Sequence, residues 1–111
     1  MLPAAARLRR RQEFTDVVRR GRRASRGPLT IHLDRADDGT ARVGFVIGKI
    51  VGPAVVRNRL RRRLRHLLRA RLDRLPPGTR LVVRAREGAG ELGSPELARL
   101  VDGALRLLDA A

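Results

Sequence analysis

Apolar residues along the chain follow three patterns, and each predicts a different kind of element. Leu29, Ile31 and Leu33 are separated by Thr30 and His32, and Val43, Phe45 and Ile47 alternate with Arg42, Gly44 and Val46. This period-two alternation predicts two strands. Asp37-Asp38-Gly39 between them is a turn signal, so the pair reads as an antiparallel hairpin. A short extended piece around Arg22 to Ser25 is a candidate further strand. The run Leu81-Val82-Val83, inside Arg80 to Ala85, is continuous instead of alternating and fits an interior strand.

Elsewhere the spacing is three and four, which predicts helices. Arg9 to Arg20 carries Phe14, Val17 and Val18 on one side, and Gly21 stops it. Gly52-Pro53 opens the longest helix, because proline at a first helical position lacks a donor that would be unpaired anyway. Pro76-Pro77-Gly78 ends it. From Pro53 to Leu75 it would run 23 residues, a rod about 35 Å long. Val56, Leu60, Leu64, Leu67, Leu68 and Leu75 form one stripe aimed at the sheet, while Asn58, Arg62, Arg65 and Arg69 project from the opposite side. Ser94-Pro95 is a cap and first-turn pair for a last helix on Leu97, Leu100, Val101, Ala104, Leu105 and Leu108. Residues 1 to 7 read as a loose lead-in. The order α-β-β-(β)-α-β-α, with a strand on either side of the long helix, describes an α/β (α+β) two-layer sandwich with a mixed sheet of about four strands, in one domain across residues 1–111.

Charge changes the picture. The 111 residues include 26 Lys and Arg against 11 Asp and Glu, a formal net charge of +15. Lys49 is the single lysine, so the other cations are arginines, which grip phosphate with two parallel donors and stack on bases. Abundant Ala, Gly and Arg throughout also fit plain compositional bias. Between Lys49 and Arg69, nine of twenty-one residues are basic, counting His66, and no acid interrupts them. Solvated helix faces normally mix signs; this one repels itself by roughly 0.2–0.5 kcal/mol per i,i+4 pair unless a polyanion is bound. Nucleic acid is the favoured partner, since each neutralised phosphate releases counterions.

Candidate chemistry is sparse. There is no Cys and no Tyr, which excludes disulfides and fits a reducing cytoplasm. His32 alternates with apolar residues as a sheet-surface residue would, and His66 sits among arginines; neither has a partner for general-base work. Asp34, Asp37 and Asp38 could hold a divalent cation, but aspartates in a turn are explained by hydrogen bonds to their own backbone. Gly44, Gly48 and Gly52 match no phosphate-cradling loop. No stretch is long and apolar enough for a membrane span, and no signal-peptide core is present. No catalytic residue and no protein-held metal are expected.

The segment Lys49-Ile50-Val51-Gly52-Pro53-Ala54-Val55-Val56-Arg57-Asn58-Arg59, continuing to Arg65, resembles the "RNR" motif of the protein subunit of bacterial ribonuclease P, roughly K-x-[IV]-G-x-A-V-x-R-N-R-x-[KR]-R-x-x-R. Leu8-Arg9, Phe14 and Gly21-Arg22 resemble the family's first helix, Arg42 to Val46 its central strand, and Arg80 to Arg84 the strand after the RNR helix. The resemblance implies a protein that joins a catalytic RNA, ribonuclease P RNA, to remove 5′ leaders from precursor tRNA in the cytoplasm, the RNA performing the hydrolysis with Mg²⁺. It implies that Lys49, Arg57, Asn58, Arg59, Arg61, Arg62 and Arg65 face the RNA subunit. Arg11, Phe14, Val18, Arg42 and Val46 would lie at a cleft for the leader. It also implies a left-handed β-α-β crossover, against the general preference. Two positions depart from the family: His66 stands where an acid is common, and Val18 where a second aromatic often follows the first. Phe14 and Val18 can line a groove or pack in the core. A ribosomal or ribosome-assembly RNA-binding protein would explain the charge equally well, and only the RNR motif separates the two.

Overall fold

The computed structural model describes residues 2–36 and 39–108. A short 3-10 turn, Ala4–Ala6, leads into helix α1, Arg11–Arg20, and three strands follow: β1, Arg22–Arg26, β2, Leu29–Arg35, and β3, Arg42–Ile47. Helix α2, Ala54–Leu72, then crosses to strand β4, Thr79–Ala85, and helix α3, Ser94–Leu107, closes the chain. The four strands form one sheet in the order β1-β2-β4-β3. β2 runs antiparallel to β1 on one side and to β4 on the other, and β3 lies parallel to β4.

The hairpin expected between β2 and β3 does not form. β4 inserts between them, pairing Ile31 with Val83 on one side and Phe45 with Val83 on the other. Leu81, Val82 and Val83 are all fully buried, and a strand apolar on both faces gains most from a central position. A turn signal fixes a local reversal but not which strands pair. Gly39 keeps φ at +96°, while Asp37 and Asp38 lie outside the described residues. The hairpin that does form joins β1 to β2.

Residues at alternate positions divide the sheet into two faces. Leu29, Ile31, Leu33, Val43, Leu81 and Val83 face α2 and α3, meeting Leu60, Leu64, Leu68, Leu97, Val101 and Leu105 in the principal core. Val82 points the other way, into a smaller cluster with Leu8 and Val17, flanked by Phe14, Val18 and Val46. Thus α1 lies across the second face, against one end of it. Helix α2 is shorter than its sequence pattern, because a turn at Asp73 and Arg74 precedes the prolines, yet Leu75 remains buried beyond it. The N-terminal segment is tied down: Leu2 is buried, the Arg7 guanidinium donates twice to the Leu2 carbonyl, and Leu8 N–H donates to Val43 O. Among the described residues no helix is long and apolar enough to cross a membrane.

Among the described residues, three arginine–carboxylate pairs join elements distant in sequence. Arg80 grips Asp34 across β4 and β2 at 2.6 and 2.8 Å; Arg42 on β3 meets Glu13 on α1 at 2.5 Å; Arg71 on α2 grips Asp102 on α3 at 2.6 and 3.0 Å. Asp34, weighed as a cation ligand, is therefore occupied by an arginine.

Candidate nucleic-acid interface

Helix α2 begins at a corner only glycine makes easily. Gly52 has φ +148°, in the range where a Cβ is strained, and Pro53 caps the first turn, its carbonyl accepting the N–H groups of Val56 and Arg57. From this corner Leu60, Leu64, Leu68 and Leu72 bury one stripe. Burying a leucine stabilises by about 1.5–3 kcal/mol, so these four fix the rotation of the helix and hence which residues it turns to solvent. Asn58, Arg59, Arg62, His66 and Arg69 are exposed along the outer face, with Lys49 exposed just before the corner. Among the described residues, none of these cations is in an ion pair.

The flanks of the helix are more engaged. Arg57 Nε donates to Gly52 O at 3.1 Å, Arg61 Nη1 to Asn58 Oδ1 at 3.3 Å, and Arg63 Nη1 to Leu92 O at 2.8 Å. Arg65, placed by spacing on the outermost face, instead turns to the sheet edge. Burial lowers its proton affinity below the ordinary guanidinium range, and Arg7 and Arg61 beside it lower it further. Among the described residues, none of these three cations is in an ion pair. Arg7 and Arg65 line a pocket of about 130 Å³ with Leu8, Phe14, Val43, Gly44 and Phe45 at the outer edge of β3, where Arg7 bridges Val43.

A second set gathers between α1 and the sheet. Phe14 is half-buried with the tip of its ring against Gly44; a methyl group added there would collide with Phe14 Cζ. Val18 and Val46 flank the same small cluster. Burial would raise the Glu13 carboxyl, but the Arg10 N–H, the Arg42 guanidinium and the Arg9 N–H outweigh it and hold it below its ordinary value. Arg42 is thus neutralised by Glu13, whereas Arg11 on the first turn is exposed. The structure packs Phe14, Val18 and Val46 into one cluster, with Arg42 paired to Glu13 of the same helix α1 and Arg11 exposed on its first turn.

Several residues around this cluster escape a reading by spacing. Arg84 pairs in register with Thr30 and Val46, which carries the sheet floor beyond α1 toward Ser25, whose hydroxyl lies 2.9 Å from that of Thr30. Arg84 shares the face of Val82 by simple alternation, and that was the available signal. His32, expected as a surface residue, is 3% exposed and neither ring nitrogen has a hydrogen-bond partner. Burial depresses its pKa, and Arg84 and Arg23 depress it further. The closeness of Arg7 to Arg65 left no local trace, since 58 residues separate them.

The chain is similar to known proteins over nearly its whole length. The family model for Ribonuclease P matches residues 2–109. The ribonuclease P protein component of Streptomyces griseus is 50% identical over 97% of this chain and 95% of its own length. That of Thermobifida fusca is 48% identical over 96% of this chain and 78% of its own. Among solved structures, the RNase P protein of Staphylococcus aureus superposes with a TM-score of 0.85 at 18% identity, covering 96% of this chain and 97% of that one. The Thermotoga maritima RNase P protein gives 0.76 at 23% identity over 87% and 92%. At such identities the superpositions speak to the fold.

Proposed function

Because this chain belongs to the ribonuclease P protein family, as a protein component of that ribonucleoprotein endoribonuclease, we propose which surfaces do its work and how. The outer face of α2, with Lys49, Asn58, Arg59 and Arg62 exposed and Arg57 and Arg61 beside it, seats on ribonuclease P RNA. The surface between α1 and β3, bordered by Phe14, Val18, Arg42 and Val46 with Arg11 on the first turn of α1, takes the single-stranded 5′ leader of precursor tRNA. Arg65, with Arg7, stands between the two surfaces and serves the junction of RNA subunit and leader.

The observation that carries this reading is the separation of paired from unpaired charge. The three ion pairs lie between elements, holding α1 to β3, β2 to β4 and α2 to α3, while the outer face of α2 offers cations to solvent. Such a face binds phosphates through counterion release. It lets two polyanions approach each other and so lowers the Mg²⁺ needed for their assembly. Glu13, Asp34 and Asp102 are each engaged by an arginine and do not form a donor set for a divalent cation. In this reading Mg²⁺ belongs to the RNA subunit, along with the hydrolysis, and the protein works beside it in the cytoplasm.

The experiment is cleavage of a precursor tRNA by a bacterial ribonuclease P RNA at low Mg²⁺, with and without this protein. Correct 5′ ends only when both are present are expected. Tight RNA binding without stimulation would instead fit a general RNA-binding protein.

A further inference from the structure

We propose that Ile50 and Val55, on either side of the Gly52-Pro53 corner, form an apolar step that receives unstacked bases of the RNA subunit, beside the phosphates gripped by the cationic face. The inference rests on the reading that α2 seats on ribonuclease P RNA, and it adds a base-contacting element to a surface so far described only by charge.

The large apolar side chains left exposed are Ile50 at 66%, Val55 at 72% and Leu107 at 58%. The first two stand five residues apart at the head of α2, and neither belongs to the buried clusters or to the residues packed against them. Ile50 also forms a wall of a shallow recess of about 610 Å³, shared with Pro28, Gly88 and Leu92 beyond the ends of β3 and β4. Val51, the residue between Ile50 and the corner, packs into the core, which fixes the backbone that holds Ile50 outward.

Charge decides the occupant. Lys49 is exposed next to Ile50, and Arg59 is exposed one helical turn beyond Val55. Arg86 borders the recess, reaching across to Gly27 O at 3.0 Å; Glu87 is an acid on the same rim. A second copy of a chain carrying +15 would meet like charge around the step, and repulsion opposes that contact. An unpaired nucleotide offers an apolar base face next to an anionic phosphate, the same pairing of properties as Val55 with Arg59 or Ile50 with Lys49. A base-paired helix hides those faces, so the step selects single-stranded nucleotides without reading their sequence.

The test compares the wild type with Ile50→Ser/Val55→Ser and with Leu107→Ser, binding Streptomyces griseus ribonuclease P RNA over a range of salt. The double variant is expected to bind on the order of tenfold more weakly at every salt concentration, with the slope of log K against log salt unchanged, because no phosphate contact is lost. Leu107→Ser should match the wild type. Unpaired bases protected from chemical modification by the wild type should regain reactivity with the double variant. Unchanged affinity, a reduced salt slope, or an equal loss in Leu107→Ser would overturn the inference. So would a wild-type dimer in sedimentation that the double variant abolishes, or an equal loss of binding to anionic vesicles without RNA. If the double variant melts early, Ile50→Ser alone, outside the helix, decides the matter by the same readouts. Failure of the wild type to bind this RNA would instead remove the reading beneath the inference, and with it the step's role.

Discussion

Arg62 and Arg71 sit nine residues apart on one helix with the same charge, and replacing each by alanine should have opposite effects. Arg62 is exposed and makes no ion pair among the described residues. Arg71 grips Asp102 with two donors and gives a third to Leu67 O at 2.9 Å. Losing one phosphate contact at Arg62 should lower the slope of log K against log salt by about 0.7–0.9. Near 0.15 M salt that corresponds to about fivefold weaker binding to ribonuclease P RNA, or roughly 1 kcal/mol. Arg71→Ala should leave that slope alone and destabilise the fold. The Asp102 side chain is 44% exposed, so water rescues much of the stranded carboxylate and the cost is about 1 kcal/mol, a fall of roughly 4 °C in Tm. Binding titrations across salt, with thermal melts of the free proteins, read both quantities. A salt slope unchanged in Arg62→Ala, or reduced equally in Arg71→Ala, would show that the outer face of α2 does not meet the RNA as described.

Gly44→Ala should destabilise by about 1–3 kcal/mol through overpacking against Phe14; pairing it with Phe14→Ala should recover part of the loss in melting experiments, because the two groups compete for one space. Phe14→Ala alone should cost about 1–3 kcal/mol in discrimination between precursor and mature tRNA by the assembled holoenzyme, with equal binding of both by wild type and variant being the contrary result. His32→Val tests the buried imidazole: the folded pKa is depressed, so the unfolded chain takes up the proton first, and wild-type stability should be full above about pH 6.5 and decline below it. Thermal melts of the variant should lack that decline between about pH 6.5 and 5, a window above the range in which Glu13 and Asp102, both depressed, contribute their own acid sensitivity.

Much of this was legible before any coordinates. The stripe Leu60, Leu64, Leu68 predicted the buried side of α2 because a helix repeats at 3.6 residues, and the arginines on the other side followed without further information. The RNR motif carried the family because its residues are contiguous. Pairing in the sheet was less accessible: β2 and β3 are near in sequence and joined by a turn signal, yet β4, arriving after α2, separates them. The continuous Leu81-Val82-Val83 run held the clue that this strand is central. Arg65 shows the limit at the site itself. Its helical position was readable, but its half-buried state comes from Arg7 and from the edge of β3, which only the folded chain brings together. His32 shows the same limit, since alternation gives the face of a strand and not what covers it.

The strand that joins the two halves of the sheet is also the last strand to be made. β2 and β3 touch in the sheet only through β4, whose Ala85 leaves the ribosome 38 residues after Ile47 ends β3, an interval of roughly 2–8 s at ordinary rates of translation. Until then the nascent chain can close the β1–β2 hairpin, but β3 has no strand to lie against and the leucines of α2 have no finished floor. The sheet therefore completes late, as a long-range closure, and a chain cut before residue 85 is a sheet without its middle. Assembly with RNA has the same starting point, because the leucines that orient the basic face of α2 acquire their full setting only when β4 is in place.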